Sequence, residues 1–258
     1  MSSASISIVT PTLNAEQYLA ECLASVAEQR CDGLEHLIVD GGSTDASRSM
    51  ATQAGARWIA RPGLGQAGAI NVGLREATGD IVAWLNADDL YPPGSLARVR
   101  ARLAAEPTLD VLYGDCDVVD ARGRFLWRQQ PGQYNFERLL KRGNSLAQPA
   151  VFLRRRVMDQ VGFLDESLDY GMDYEFWLRL RGLRIAYEPQ VLATFRWHTA
   201  SKTATHSEAN WRELITIVRR HGGGWTPYLV WSFARARVTV ARLRMQRALS
   251  WPARTSIR

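Results

Sequence analysis

Apolar positions along the chain alternate between two periods. "SISIVTPT" has the short, β-branched character of a buried parallel strand, and the following "NAEQYLAECLASVAEQ" sets Leu19, Cys22, Leu23 and Val26 at helical spacing. "HLIVD" and "GGSTDASRSMATQAG" repeat the step, "RWIA" reads as a third strand, "GQAGAINVGLREATG" as a helix and "DIVAWLNADD" as a fourth strand. Asn14, with Gln17 three residues on, reads as the cap of the first helix, and Ser43 or Thr44 as the cap of the second. After a helix near "PGSLARVRARLAAE", the stretch "LDVLYGDCDVVDARGRFLWRQQ" predicts two or three strands joined by a turn at Arg122 and Gly123, so the sheet becomes mixed. Two helical segments in "RRRVMDQVGFLDESLDYGMDYEFWLRLRGL" and a strand in "IAYEPQVLATFRWHTASKT" complete the pattern. The expected class is α/β: a mixed, mostly parallel central sheet flanked by helices. Ligands on such sheets bind at the carboxyl ends of strands, where the loops holding Thr12, Asp40 and Asp88 would lie.

The length of 258 residues and 46% hydrophobic content suit one large α/β domain or a domain with an appendage. No glycine/serine linker or repeat precedes "HGGGWTPY", so the expected division is a body over residues 1–221 and a basic, helical tail over 222–258. No run of about 20 uncharged apolar residues occurs, and "MSSASISIVTPT" lacks the basic start and apolar run of a signal peptide, which makes the cytoplasm the expected compartment. Cys22, Cys31 and Cys116 are odd in number and lack metal-ligand spacing, so they read as buried or free thiols.

The net charge of +6 would suit a polyanion, but its distribution does not. Nine arginines and no acidic residue follow Glu213; without them residues 1–213 stand at −3. Only Lys141 and Lys202 among the 32 basic residues are lysines. A basic stripe for nucleic acid is absent from the body, and nucleic acid is not an expected partner.

"IVAWLNADDLYPPG" is the stretch that demands chemistry. An apolar strand runs into Asn86, Asp88 and Asp89 and stops at Pro92 and Pro93. Adjacent carboxylates at the end of a buried strand repel each other and lose hydration unless positive charge arrives. A divalent cation answers that need, and hard oxygen ligands suit Mg²⁺ or Mn²⁺.

Four motifs, "VTPTLNAEQYLAECLASV", "LIVDGGSTD", "GDIVAWLNADD" and "DYGMDYEFWLRL", occur in the order and approximate spacing of the inverting family 2 glycosyltransferases, and residues 5–203 resemble that family. The resemblance implies the GT-A fold, with a nucleotide-sugar half over about 1–115 and an acceptor half over about 116–221. It implies a nucleoside-diphosphate sugar donor, a saccharide or lipid-linked acceptor and a divalent metal. Pro11, Thr12 and Asn14, with Asp40, would embrace the nucleoside; Gln66 and Asn71 would approach the nucleotide. "NADD" aligns with the family's metal motif, with Asp89 as the direct ligand and Asp88 on ribose or on the metal shell. His198 would be a further metal or diphosphate contact, Lys202 a phosphate partner, and Gln148 lies on the acceptor-side segment. Asp173 stands at the family's general base. Met172 replaces the usual glutamate beside it, which removes one like charge and predicts activity extending to lower pH than in relatives.

Plainer roles stand beside these. An aspartate at a helix start can be only a cap, and Asp45 reads that way. A sugar-nucleotide-binding module without turnover, suggested by Asn86 and Met172, and a nucleotidyltransferase are the competing functions. For the tail, Trp225, Trp231, Phe233 and Trp251 among Arg235, Arg237, Arg242, Arg244 and Arg247 leave three fates open: peripheral contact with an anionic membrane, packing on the body, or packing on a second subunit.

Overall fold

The computed structural model describes residues 4–198 and 208–231. Four strands run parallel: β1 (Ile6–Thr12), β2 (Leu34–Asp40), β3 (Arg57–Ala60) and β4 (Ile81–Trp84). The sheet continues with β7 (Val151–Arg154), β5 (Val111–Val119) and β6 (Phe125–Gln129) in the order β3-β2-β1-β4-β7-β5-β6, while β8 (Ile185–Arg196) pairs with β5. The pairings of β7 with β4 and β5, and of β6 with β5, are antiparallel, whereas β8 runs parallel to β5. The expected mixed, mostly parallel sheet is therefore present.

Period-2 alternation feeds two cores. On β1, Ile6 and Ile8 enter one apolar cluster and Val9 the other; on β4, Ile81 and Ala83 part from Val82 and Trp84 in the same way. Both faces are covered, as the continuous apolar runs require. The connections supply α1 (Glu16–Ala27), α2 (Ser47–Gln53), α3 (Gln66–Glu76) and α4 (Ser95–Ala105); the second half adds α5 (Phe136–Arg142), α6 (Val157–Val161), α7 (Met172–Arg179) and α8 (Glu208–Arg220). Leu19, Cys22, Leu23 and Val26 are the buried stripe of α1. Gly73 of α3 sits where a Cβ would overlap Val9 Cγ1, so the missing side chain is what lets α3 lie directly on β1.

The helix starts differ from expectation. Asn14 is not the cap of α1; it adopts left-handed backbone at φ 49° and accepts from Thr44 N at 2.9 Å. The α1 start is served from the entry to α2, because Asp45 Oδ2 accepts from Glu16 N and Ser47 Oγ from Ala15 N, each at 3.0 Å. Glu16 Oε2 returns the bond to Ala46 N at 3.0 Å. Ser43 and Thr44 do not cap α2, which begins at Ser47. Just past the glycines, Thr226 Oγ1 donates to Lys141 O at 2.7 Å and Leu229 is buried in the principal core. Lys202 and tail residues 232–258 lie outside the described residues.

Candidate functional site

The carboxyl ends of β1, β2 and β4 come together in register, with Thr12 opposite Asp40 and Val9 opposite Trp84. Beside these ends opens a cleft of about 900 Å³, lined by Pro11, Thr12, Asn14, Gln66, Asn86, Asp88, Gln148, Asp173 and His198 among others. It lies where an open sheet of this kind binds ligands.

Asp88 and His198 meet in it. His198 Nε2 is 2.9 Å from Asp88 Oδ2, which joins the loop after β4 to the end of β8. The pair is fixed from behind by Arg196, a buried residue that sequence reasoning did not single out. Its Nε donates to Asp88 O at 3.1 Å, its Nη2 to Glu21 Oε2 at 2.6 Å, and its guanidinium stacks over Tyr18 at 4.7 Å. Tyr18 in turn faces the His198 ring, with centroids 5.0 Å apart. One cation thus braces both halves of the pair. The "RWH" order at the end of β8 was the available clue.

Asp89 turns the other way. It is fully buried, and its two oxygens accept from Arg196 N at 3.0 Å and Asn86 Nδ2 at 3.1 Å. Burial, reinforced by the neighbouring Asp88 charge, pushes its carboxyl well above the usual range. Asp89 is not among the residues that line the cleft, whereas Asp88 is. The segment turns here, with Asp89 N donating back to Asn86 O at 3.0 Å, and Asp89 meets the main chain of β8 through Arg196 N.

Asn86 is a connector. Its Oδ1 accepts from Gln66 Nε2 at 2.9 Å, its Nδ2 donates to Gln148 Oε1 at 3.1 Å, and Gln148 Nε2 continues to Trp84 O at 2.6 Å. A neutral amide can donate and accept in this chain where a carboxylate could only accept.

Two further candidate residues are engaged with neighbouring loops in this structure. Asn71 is buried away from the cleft, where it binds Leu164 through both main-chain groups at 2.9 Å and Glu166 Oε1 at 2.8 Å. Asp40 is buried and spends its carboxylate on its own turn, accepting from Gly42 N and Ser43 N at 3.0 Å and from Ser43 Oγ at 2.5 Å. Both hold loops around the site instead of lining it.

Asp173 opens α7 at the cleft wall. Its Oδ2 accepts from Asn144 Nδ2 at 2.8 Å and its Oδ1 from Tyr174 N at 2.7 Å. Burial pushes its carboxyl up to about 6, against the opposing pull of those hydrogen bonds. Desolvation is the largest cause of the shift, and no second carboxylate is among its causes, as Met172 in the preceding position requires. Met172, Tyr174, Phe176 and Trp177 anchor the helix in the core, and Trp177 stacks on Trp84 with centroids 5.4 Å apart and planes at 15°. That stack ties the strand before Asn86 to the helix that carries Asp173.

Among the described residues, no three His, Cys, Asp or Glu side chains converge as a ready-made cation cage. Asp88 and His198 provide two donors, which fits a cation that completes its shell with diphosphate oxygens and water.

A sheet of this topology with polar groups gathered at its strand ends defines a nucleotide-sugar-transferase type of fold. The model for "Glycosyl transferase family 2" matches residues 7–162, and the chain belongs to that family. It is 34% identical over 186 residues to a PGL/p-HBAD biosynthesis glycosyltransferase of Mycobacterium bovis, covering 69% of this chain and 70% of that one. An uncharacterized glycosyltransferase of Rickettsia typhi is 28% identical over 215 residues, 78% of this chain and 66% of that protein, so the chain spans about two thirds of the length of these relatives. Among solved structures, S. aureus TarS 1–349 in complex with UDP-GlcNAc superposes with a TM-score of 0.68 at 17% identity, over 91% of this chain and 73% of that one. The mannosyltransferase PcManGT from Pyrobaculum calidifontis, in complex with GDP-Man and Mn²⁺, gives 0.60 at 21% identity, over 92% and 70%. The fold is GT-A.

Proposed function

We propose that the chain transfers a sugar from a nucleoside-diphosphate sugar to an acceptor hydroxyl with inversion, with the reaction supported by a divalent metal. The observation that carries this reading is the presence in one cleft of the Asp88–His198 pair and of Asp173, a carboxylate whose proton affinity suits a general base near neutral pH. Pro11, Thr12, Asn14 and Gln66 offer a polar edge for the nucleoside. Asp88 and His198 would hold Mn²⁺ or Mg²⁺, which when bound neutralises charge on the departing diphosphate. Asp173 takes the proton of the acceptor hydroxyl as that oxygen forms its bond to the anomeric carbon. The bond to diphosphate breaks on the opposite face, and its electron pair leaves with the nucleotide. No covalent enzyme intermediate is required.

Saccharide and lipid-linked acceptors both fit this chemistry. No helix among the described residues is long and apolar enough to cross a membrane. Trp225, Tyr228 and Trp231 are exposed ahead of the arginine-rich stretch, which supports peripheral contact with an anionic lipid surface.

Thermal shift against UDP-GlcNAc, GDP-Man and further sugar nucleotides, with and without Mn²⁺, identifies the donor, since ligand at 100 times its Kd stabilises by about 2.7 kcal/mol. Release of nucleoside diphosphate in the presence of acceptor then separates an enzyme from a binding module.

A further inference from the structure

The wall beside Asp173 continues onto β6. Asn144 Nδ2 donates to Asp173 Oδ2 at 2.8 Å, and the next residue, Ser145, accepts through its carbonyl from Gln129 Nε2 at 2.9 Å. Gln129 closes β6 and lines the cleft. It stands opposite Cys116 of β5, and Trp127 stands opposite Val118, while β8 sets Ala193 beside Cys116 and Phe195 beside Val118. Partners in register share a face of the sheet, so Trp127, Val118 and Phe195 form one row and Gln129, Cys116 and Ala193 the next. Phe195 also lines the cleft. Cleft-lining side chains thus stand beside Trp127 along its own strand and two strands away across the sheet, and its surface remains 49% exposed. The exposed Phe125 does not extend this surface. Register shifts between Val118 and Val119, so that Phe125 falls opposite Val119 with Leu126 as the extra residue. Val118 and Val119 point to opposite faces, and Phe125 therefore stands on the far side from Trp127.

We propose that Trp127 is a platform for a saccharide acceptor: its indole receives the C–H face of a pyranose ring lying beyond the sugar whose hydroxyl meets Asp173. A pyranose is apolar on its ring faces and polar around its rim. A flat aromatic face with an amide side chain next to it, here Gln129, matches both parts. A lipid chain or a partner protein calls for a contiguous apolar patch, and the register shift divides Phe125 from Trp127. Trp127 lies about 7 Å farther along the strand than Gln129, on the scale of one sugar residue. The acceptor that this wall fits is accordingly a disaccharide or longer.

The inference rests on Asp173 marking the acceptor side of the cleft, and its test reads binding, not transfer. The full chain, with its nine tryptophans replaced by 5-fluorotryptophan, is followed by ¹⁹F NMR in the presence of Mn²⁺ with UDP or GDP. The probes are methyl glycosides of glucose, galactose, mannose and N-acetylglucosamine and the corresponding methyl disaccharides. The Trp127 resonance, assigned by its absence in Trp127→Phe, should shift with at least one disaccharide and less with the matching monosaccharide. Trp127→Ala should raise the dissociation constant of that disaccharide about five-fold or more, the loss that truncating an aromatic contact brings. Trp127→Phe keeps a flat face and should lose less; it decides the matter if the alanine variant does not fold. Phe125→Ala, on the opposite face, should leave the constant unchanged. A Trp127 resonance that no glycoside moves, or Trp127→Ala binding as tight as wild type, would overturn the inference. So would a resonance that moves with phosphatidylglycerol vesicles or with protein concentration in place of sugar. Calorimetry with UDP or GDP on the same samples reads the donor side separately, so loss of the platform with nucleotide binding intact leaves the transferase reading standing.

Discussion

Nε2 of His198 lies 2.9 Å from Oδ2 of Asp88, and the two come from the loop after β4 and the segment after β8, 110 residues apart. Arg196 fixes both adjacent aspartates, since it holds Asp88 O through its guanidinium and Asp89 through its main-chain N–H. The adjacent carboxylates therefore divide their labour: one faces the cleft and the other fastens the loop to β8.

That division predicts different losses on mutation. Asp88→Asn and His198→Ala should weaken Mn²⁺-linked binding of UDP or GDP at least about ten-fold with little change in melting, because each removes a donor at the cleft surface. Asp89→Ala should lower unfolding stability by about 1–3 kcal/mol, the cost of leaving the buried Arg196 N–H without an acceptor. Calorimetry for the nucleotide and denaturant unfolding for stability separate the two classes. A large binding loss in Asp88→Asn without metal present would contradict metal linkage.

The raised carboxyl of Asp173 sets a pH limb. A base must be ionised, so transfer should fall about ten-fold per pH unit below about 6. Its proton is held more tightly in the fold than in the unfolded chain, whose value is near 3.8. Ionised Asp173 therefore opposes folding above about pH 6, and that cost disappears as pH falls through the window down to about 4. Asp173→Asn carries no charge and should melt no lower than wild type at pH 8, read by differential scanning.

Asp45 serves two helix starts at once through Glu16 N and Ser47 N. Asp45→Ala should cost about 1–2 kcal/mol, at the upper end for a lost cap. Because the affected turn carries Asn14 at the cleft, nucleotide affinity should fall with it. Chemical denaturation of the variant measures the first effect.

Gly73→Ala is expected to be severe for so small a change. The added methyl would overlap Val9 and push α3 off β1, an overpacking cost of about 1–3 kcal/mol or more. Val9→Ala in the same chain should recover part of the loss, a coupling that a double-mutant cycle reads directly.

Much of the fold was legible because each element keeps its own period: the stripe of α1 and the two-faced burial of β1 and β4 follow from spacing alone. Pro11, Thr12, Asn14, Gln66, Asp88, Asp173 and His198 all reach the cleft, since strand-end loops converge in a sheet of this topology. What sequence could not supply was direction. Nothing in "NADD" says which carboxylate turns inward, and that depends on β8 arriving with Arg196. Asn71 and Asp40 are polar residues beside the site whose partners are the loops around it. Asn14 does not cap because its competitor, Asp45, comes from the loop ahead of the following helix. Glu213 accepts from the main-chain N–H groups of residues 169–171, a long-range contact with no local pattern.

The most direct measurement is transfer by Asp173→Asn. The amide is nearly isosteric, can still accept from Tyr174 N, and cannot take a proton from an acceptor hydroxyl. The variant should bind donor with wild-type affinity in calorimetry and lose at least about 100-fold in kcat, the low end of what a positioned general base supplies. Transfer within a few-fold of wild type, with donor affinity unchanged, would contradict the account and leave Asp173 a helix-start residue only.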